Sequence, residues 1–502
     1  MTAIVAESVQ LCRLLAEIPR TAYVGAKARA GVIIGDIAEG LTRGVESTVN
    51  TVSEAFFEPV VRLGVTGLSR AGKTVFITSL IANLIELGRM PGLRAAAEGR
   101  IASVWLQPQP DDTVPRFDFE THLAALTGRA PHWPESTSNI SELRLSFRVK
   151  PSGLLSGLSG TRTVHLDIVD YPGEWLLDLG LLDKDFATWS RDTLARLEKR
   201  PGTGDFLRAL AEVDPNQPLD EATAKALTLT FSETLKSLRA AGFSDCTPGR
   251  FLLPGDLAGS PVLTFVPLPA ANFPRGSLGR ECARRFEAYK REVVKPFFRT
   301  HFSRIDRQIV LVDMLGAIHA GPRAVDDMRQ AMADILAAFR PGRNAFLSQI
   351  FLGKRVEKIL FAATKADHLH HSQHPQLTGI AEALLAEAKA RASFAGAETL
   401  ALSMAALRAT TEDRIAQNGR QLDVVRGRLL DGGKSVALYP GQLPDDPKRL
   451  LQPARDGEED WLEASYNVMN FAPQPIDIKS GDGLPHIRLD RAAEFLFGDR
   501  LR

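Results

Sequence analysis

From Gly67 to Thr74 the chain reads Gly-Leu-Ser-Arg-Ala-Gly-Lys-Thr, which fits G-x-x-x-x-G-K-[ST] at every fixed position. The glycines let the backbone curl so that successive amides point inward, a cradle suited to phosphate oxygens. Lys73 has the reach to pair with outer phosphates, and the Thr74 hydroxyl is a hard oxygen ligand of the kind Mg2+ takes. The expected phosphate contacts are Gly67, Ser69, Arg70, Ala71, Gly72, Lys73, Thr74 and Val75. The preceding run, Val60-Val61-Arg62-Leu63-Gly64-Val65, reads as a short buried strand. After it, Val75, Phe76, Ile77, Leu80, Ile81, Leu84 and Ile85 recur at helical spacing. The loop therefore joins a strand to a helix whose dipole favours an anion.

A second group follows in Leu166-Asp-Ile-Val-Asp170-Tyr-Pro-Gly173-Glu174. Asp170, ending an apolar strand, can hold Mg2+ through water, and Gly173 can offer its amide to a terminal phosphate and move when that phosphate leaves. A third is Ile359-Leu-Phe-Ala-Ala-Thr364-Lys365-Ala-Asp367, of the form [NT]-K-x-D. A carboxylate at Asp367 accepts from the N1–H and 2-amino group of guanine. Adenine lacks both donors, and an unmatched buried acceptor discriminates strongly. Lys365 would lie along the base. The order of the three groups, each at the end of an apolar strand, favours GTP/GDP with Mg2+ over three unrelated turns.

Three further assignments are expected. Thr137, with Ser136 in reserve, is the candidate for a second hydroxyl on Mg2+, because it sits in a polar stretch just before the next strand. Ser403, in Ala401-Leu-Ser-Met-Ala405, is the candidate in a base-contacting loop. Lys73, Glu174 and Arg70 are the catalytic candidates: Lys73 for charge on the transferring phosphoryl group, Glu174 for orienting water, Arg70 for charge stabilisation in cis. A glutamate sits poorly beside a phosphate, so slow hydrolysis is expected.

These groups need elements to hold them. The chain has 502 residues, 44% of them hydrophobic and 24% charged, enough for two or three domains with a large core. A net charge of +1 argues against generic nucleic-acid binding. Three dispersed cysteines, Cys12, Cys246 and Cys282, suggest a reducing compartment. No apolar stretch approaches the roughly 18 residues needed to cross a bilayer. Glu7, Arg13 and Glu17 interrupt any signal-peptide core, and a cytoplasmic location is expected.

Strands are predicted at 60–66, 101–106, 142–149, 163–170, 308–316 and 357–363, with the third and fourth paired as a long-looped hairpin. Helical stretches are predicted at 182–200, 205–213, 220–241 and 279–295. The fold class is α/β, a mostly parallel sheet with helices on both faces and an inserted, mainly helical subdomain. The expected division is a helical extension at 1–58, a nucleotide-binding domain in two parts at 59–174 and 307–431, the insertion at 175–306, and a Pro/Gly-rich segment with a closing helix at 432–502.

His368, His370, His371 and His374 read as a polar loop rather than a metal site, since no carboxylate stands at ligand spacing. Arg284, Arg285, Lys290, Arg291, Lys295 and Arg299 interleave with Phe286, Tyr289, Val293 and Phe297. This predicts an amphipathic helix with its aromatic side inward and Pro296 ending or kinking it, peripheral contact with an anionic membrane being the alternative.

Thr66-Gly-Leu-Ser-Arg-Ala-Gly-Lys-Thr74, Trp133-Pro-Glu-Ser-Thr137, Asp170-Tyr-Pro-Gly-Glu-Trp175, Leu484-Pro-His-Ile-Arg-Leu-Asp490 and Phe495-Leu-Phe-Gly-Asp499 together resemble the YcjX family of bacterial stress-associated P-loop proteins, from about residue 59 to the C-terminus. The resemblance implies a GTPase-type P-loop fold, a guanine-nucleotide-binding core and a helical insertion. The expected function is a slow Mg2+-dependent GTPase acting as a nucleotide-controlled switch, with a role in stress and a protein effector reached through the insertion. An ATPase or phosphoryl transferase, and a nucleotide-bound scaffold without hydrolysis, remain open.

Overall fold

The computed structural model describes residues 58–67, 71–135, 139–151, 160–269, 272–300, 304–338, 356–392, 397–417, 419–456, 468–476 and 479–502. Seven strands form one sheet: β1 (Val60–Gly67), β2 (Ile101–Gln107), β3 (Ser141–Val149), β4 (Arg162–Asp170), β5 (Arg307–Val312), β6 (Lys358–Ala363) and β7 (Glu398–Ser403), in the order β2-β3-β4-β1-β5-β6-β7. The run β4-β1-β5-β6-β7 is parallel throughout, and β3 pairs antiparallel with both β2 and β4. The hairpin expected from the sequence is the β3–β4 pair.

Alternation along the central strands explains why the sheet is covered on both faces. Ile309, Leu311, Leu360 and Ala362 pack into one apolar core with Phe76, Ile77 and Leu80 of α1 (Lys73–Glu86). Their neighbours Val310, Val312, Ile359, Phe361 and Ala363 pack into the other, with Val325, Met328 and Ile335. A parallel strand buried on both sides must be apolar at successive positions, which is how these strands read. β1 lies between β4 and β5, where the chain changes direction across the sheet: β2, β3 and β4 fill one side of it, and β5, β6 and β7 follow on the other. That is the place where open α/β sheets bind ligands, beyond the carboxyl ends of the strands. The architecture is a P-loop GTPase-like α/β fold, as the sequence predicts.

Between β4 and β5 the described chain is helical, beginning with α2 (Gly173–Leu177) and including α3 (Glu221–Ala240) and α4 (Leu278–Tyr289). α4 continues through a π-helical turn, Lys290–Val294, into Lys295–Thr300. Pro296 has no amide to donate back, and the wider turn upstream absorbs that loss without ending the helix. Phe286, Tyr289, Val293 and Phe297 are buried, and Arg285 is held by Glu221 and by Glu281 at 2.8 Å. This is an inward-facing aromatic stripe with paired charges. α5 (Pro322–Ala338) flanks the sheet, and α6 (Leu489–Phe497) closes the chain.

Two sequence expectations need correction. The strand predicted to run to 316 stops at Val312, because the Asp313 carboxylate accepts from the Gly316 amide at 2.9 Å and starts the helix Met314–Ala320. A separate antiparallel sheet, β8 (Thr411–Gln417), β9 (Arg420–Arg428) and β10 (Ser435–Leu438), was not predicted. Its Thr-Glu-Asp-Arg-Ile-Ala-Gln strand is polar on both faces and carries no apolar alternation, although Asn418-Gly419 is a hairpin signal. Residues 1–57, including the predicted helical extension, lie outside the described residues. None of the described helices is long and apolar enough to cross a membrane.

Candidate nucleotide site

A cavity of about 450 Å³ opens beyond the carboxyl ends of β1, β4 and β6. Its wall includes Gly67, Ala71, Gly72, Lys73, Thr74 and Val75. Gly72 has φ +77°, a left-handed conformation that a side chain would strain, and it caps α1 without any side-chain hydrogen bond. A 14-residue helix therefore starts at the cavity wall, where its dipole favours an anion. Ser69 and Arg70 lie outside the described residues, as do Ser136 and Thr137.

Lys73 pairs with Asp170 at the end of β4. The buried Asp170 and the Thr74 hydroxyl are hard oxygen donors, a set that suits Mg2+. The Thr66 hydroxyl, buried at the end of β1, has no hydrogen-bond partner. Gly173 begins α2, and a Cβ there would stand 2.2 Å from the Gly67 carbonyl oxygen. Only glycine permits this approach, which couples the Asp170–Gly173 turn to the start of the phosphate loop. Glu174 follows and lines the cavity.

Thr364, Lys365, Asp367 and His368 line the same cavity. Thr364 extends the β5–β6 pairing, its amide donating to the Val312 carbonyl at 2.9 Å. Lys365 takes φ +60°, unusual for a non-glycine residue, and pairs with Asp313. Its turn aims Asp367 toward the cavity. The Ala409 amide donates to Asp367 Oδ2 at 2.8 Å, and the Thr410 hydroxyl donates to its carbonyl, so the carboxylate is preoriented. His368 is buried edge-on to Phe471, and burial holds its pKa below the usual histidine value, keeping it neutral.

Ser403 stands off the cavity. It is fully buried, with its hydroxyl 2.7 Å from that of Thr378 and accepting from Arg488 Nη1 at 3.0 Å. The residues that face the cavity after β7 are Ala405, Ala406 and Leu407. Ser403, expected from the sequence to contact a base, instead faces the helix His374–Ala392, against Thr378 and the His374 carbonyl.

Sequence reasoning missed Arg239, in the last turn of α3. Arg239 lines the cavity and pairs with Glu174 at 2.8 Å. No local motif marks it, since 65 positions separate it from Glu174. The histidine stretch acquires carboxylate neighbours that linear spacing did not show. Glu412 Oε2 is 2.6 Å from His371 Nδ1, and Asp423 Oδ2 is 3.5 Å from His370 Nδ1. These contacts fasten β8 and β9 to the loop after β6.

Lys73 and Thr74, Glu174, and Thr364, Lys365 and Asp367, drawn from the three sequence groups, line one cavity, and residues 61–501 match the model of the YcjX-like family, DUF463. The chain belongs to the YcjX-like family. It is 39% identical over 460 residues to the Ras-like GTPase YcjX of Escherichia coli (strain K12), covering 88% of this chain and 96% of that protein. It is 34% identical over 469 residues to the Ras-like GTPase YcjX of Shewanella oneidensis, with coverage of 88% and 94%.

Proposed function

We propose that the chain binds GTP and GDP and is a slow, Mg2+-dependent GTPase whose helical segment between β4 and β5 responds to nucleotide state. The observation that carries this reading is that Lys73 and Thr74, following β1, and Asp367, following β6 two strands away, line a single cavity. Its volume, about 450 Å³, lies in the range of small-molecule sites. The names of the two relatives agree with it.

In this reading the amides at the start of α1 and the Lys73 ammonium bind the phosphates, the lysine exchanging Asp170 for phosphate oxygens. Thr74 and Asp170 would hold Mg2+, which when bound neutralises charge on the β- and γ-oxygens. Asp367 accepts from guanine, and the Lys365 stem lies beside the base. Glu174 lines the same cavity, where it can accept a hydrogen bond from a water. Movement at Gly173 would pass into the helical segment through α2. There Trp175 Nε1 donates to the Leu253 carbonyl at 3.2 Å, and Asp178 accepts from the Gly249 amide at 2.8 Å. A protein effector would read that segment.

Single-turnover hydrolysis of GTP and of ATP in Mg2+ buffer, with Lys73→Ala as control, tests the reading. GTP turnover above the control is expected. Binding without turnover would leave a nucleotide-bound scaffold, and preferential ATP turnover would leave an ATPase.

A further inference from the structure

Arg239 and Glu174 come from separate elements and meet in the wall of the cavity. Glu174 is the second residue of α2, and its side chain is 10% exposed; that of Arg239 is 30% exposed, so the guanidinium has a face left for a ligand. Both stand with Lys73 and Thr74 in the cavity wall. Arg239 is also held from a fixed point. Phe231, Leu235 and Leu238 bury the inner face of α3. Just beyond it, the Asp245 amide donates to Asp327 of α5 at 2.9 Å, and Arg200 Nη1 donates to the Asp245 carbonyl at 2.7 Å.

Glu174 is buried and a buried carboxylate needs a partner, which Arg239 supplies while part of its own side chain stays exposed in the wall of the same cavity as Lys73. A bound triphosphate gives the guanidinium a stronger partner. A carboxylate at Glu174 alone would repel the γ-phosphate. A guanidinium, with five N–H donors in a planar fork, can keep the carboxylate on one edge and take a phosphoryl oxygen on another.

We propose that Arg239 is the arginine that stabilises charge on the γ-phosphoryl group during hydrolysis, supplied in cis by the helical segment. The proposal rests on the GTPase reading of the site. In the step, the oxygen of water bonds to the γ-phosphorus as the bond from that phosphorus to the β–γ bridging oxygen breaks. The bonding electrons leave on GDP, and the products are GDP, hydrogen phosphate and one proton. Arg239 donates to the γ-oxygens on which charge accumulates, while Glu174 sets the orientation of its fork.

The test uses the full chain with Arg239→Ala and Arg239→Lys. Two readouts are taken: single-turnover GTP hydrolysis, and calorimetric GDP binding with and without aluminium fluoride, which with GDP imitates the transferring phosphoryl group. Arg239→Ala is expected to slow hydrolysis by about 10³-fold while GDP affinity changes by less than about 3-fold, because the contact forms only in the transition state. Arg239→Lys should be slowed by about 10²-fold, since an ammonium cannot span both partners. If the alanine variant does not fold, the lysine variant carries the same comparison. Aluminium fluoride should tighten GDP binding to the unaltered chain and not to Arg239→Ala. Hydrolysis by Arg239→Ala at the unaltered rate overturns the proposal alone. Equal losses of GDP affinity and rate also overturn it, by making the residue structural. An unaltered chain that binds GTP without turnover above Lys73→Ala removes the GTPase reading, and this proposal with it.

Discussion

In the proposed reading, Asp367 is the residue on which the choice of base depends. Its carboxylate is fixed by the Ala409 amide and has only acceptors to offer. Asp367→Asn exchanges one acceptor for a donor, which suits the 2-oxo group of xanthine and opposes the 2-amino group of guanine. GDP affinity should fall by on the order of 100-fold, the cost of an unmatched buried polar group, and XDP affinity should rise. Competition binding with both nucleotides checks this; unchanged preference for GDP would remove Asp367 from base recognition. Gly173 is a different kind of residue, required for its lack of a side chain. Gly173→Ala places a methyl group against the Gly67 carbonyl, so thermal stability and GDP affinity should fall together in a melting and titration series. The sequence made both residues legible because each lies within a few positions of an apolar strand end. Arg239 was not legible, because only the packing of α3 against the other helices of its segment, Phe231 on Phe206 and Phe251, brings it to Glu174.

At the scale of elements, the joint between α2 and the helical segment carries a buried titratable group. Asp178 accepts from the Tyr289 hydroxyl at 2.6 Å and from the Gly249 amide at 2.8 Å, yet burial pushes its pKa up to about 7. A carboxyl raised in the folded state stabilises the fold below its unfolded pKa, near 4, and loses that contribution as pH rises through 7. The full difference corresponds to on the order of 4 kcal/mol. Asp178→Asn imitates the protonated form, so its stability relative to the unaltered chain should increase from pH 4 to pH 8. Chemical denaturation at the two pH values measures this, and an equal difference at both would contradict it. The helices of this segment and six of the seven strands of the main sheet were legible from apolar periodicity; the edge strand β7 was not predicted. The β8–β10 sheet was not legible either, because β8 is polar on both faces and the sheet is fastened through charges such as His371 with Glu412, whose pairing requires the folded chain.

Across the whole molecule, the C-terminal residues grip the amino end of β5 and the loop after β7. Arg307, fully buried in β5, donates to the Leu496 carbonyl at 2.8 Å and pairs with Asp499 at 2.9 Å and with Glu357. Arg488 in turn donates to the Ser403 carbonyl and hydroxyl at 3.0 Å, and Ala405 pairs with Ile487 beside the base-side loop. The terminal Leu484–Asp490 motif, distinctive in the sequence yet without obvious chemistry, is therefore a brace for that loop. Arg307→Ala strips partners from a buried charge cluster and should cost about 3 kcal/mol in denaturation; a loss below about 1 kcal/mol would mean the brace lies elsewhere. The most direct measurement is calorimetric titration of the nucleotide-free chain with GDP and with ADP in magnesium buffer. GDP should bind on the order of 100-fold more tightly than ADP, with the preference abolished by Asp367→Ala and binding itself by Lys73→Ala. Equal or tighter binding of ADP, or no heat with either nucleotide, would contradict the account.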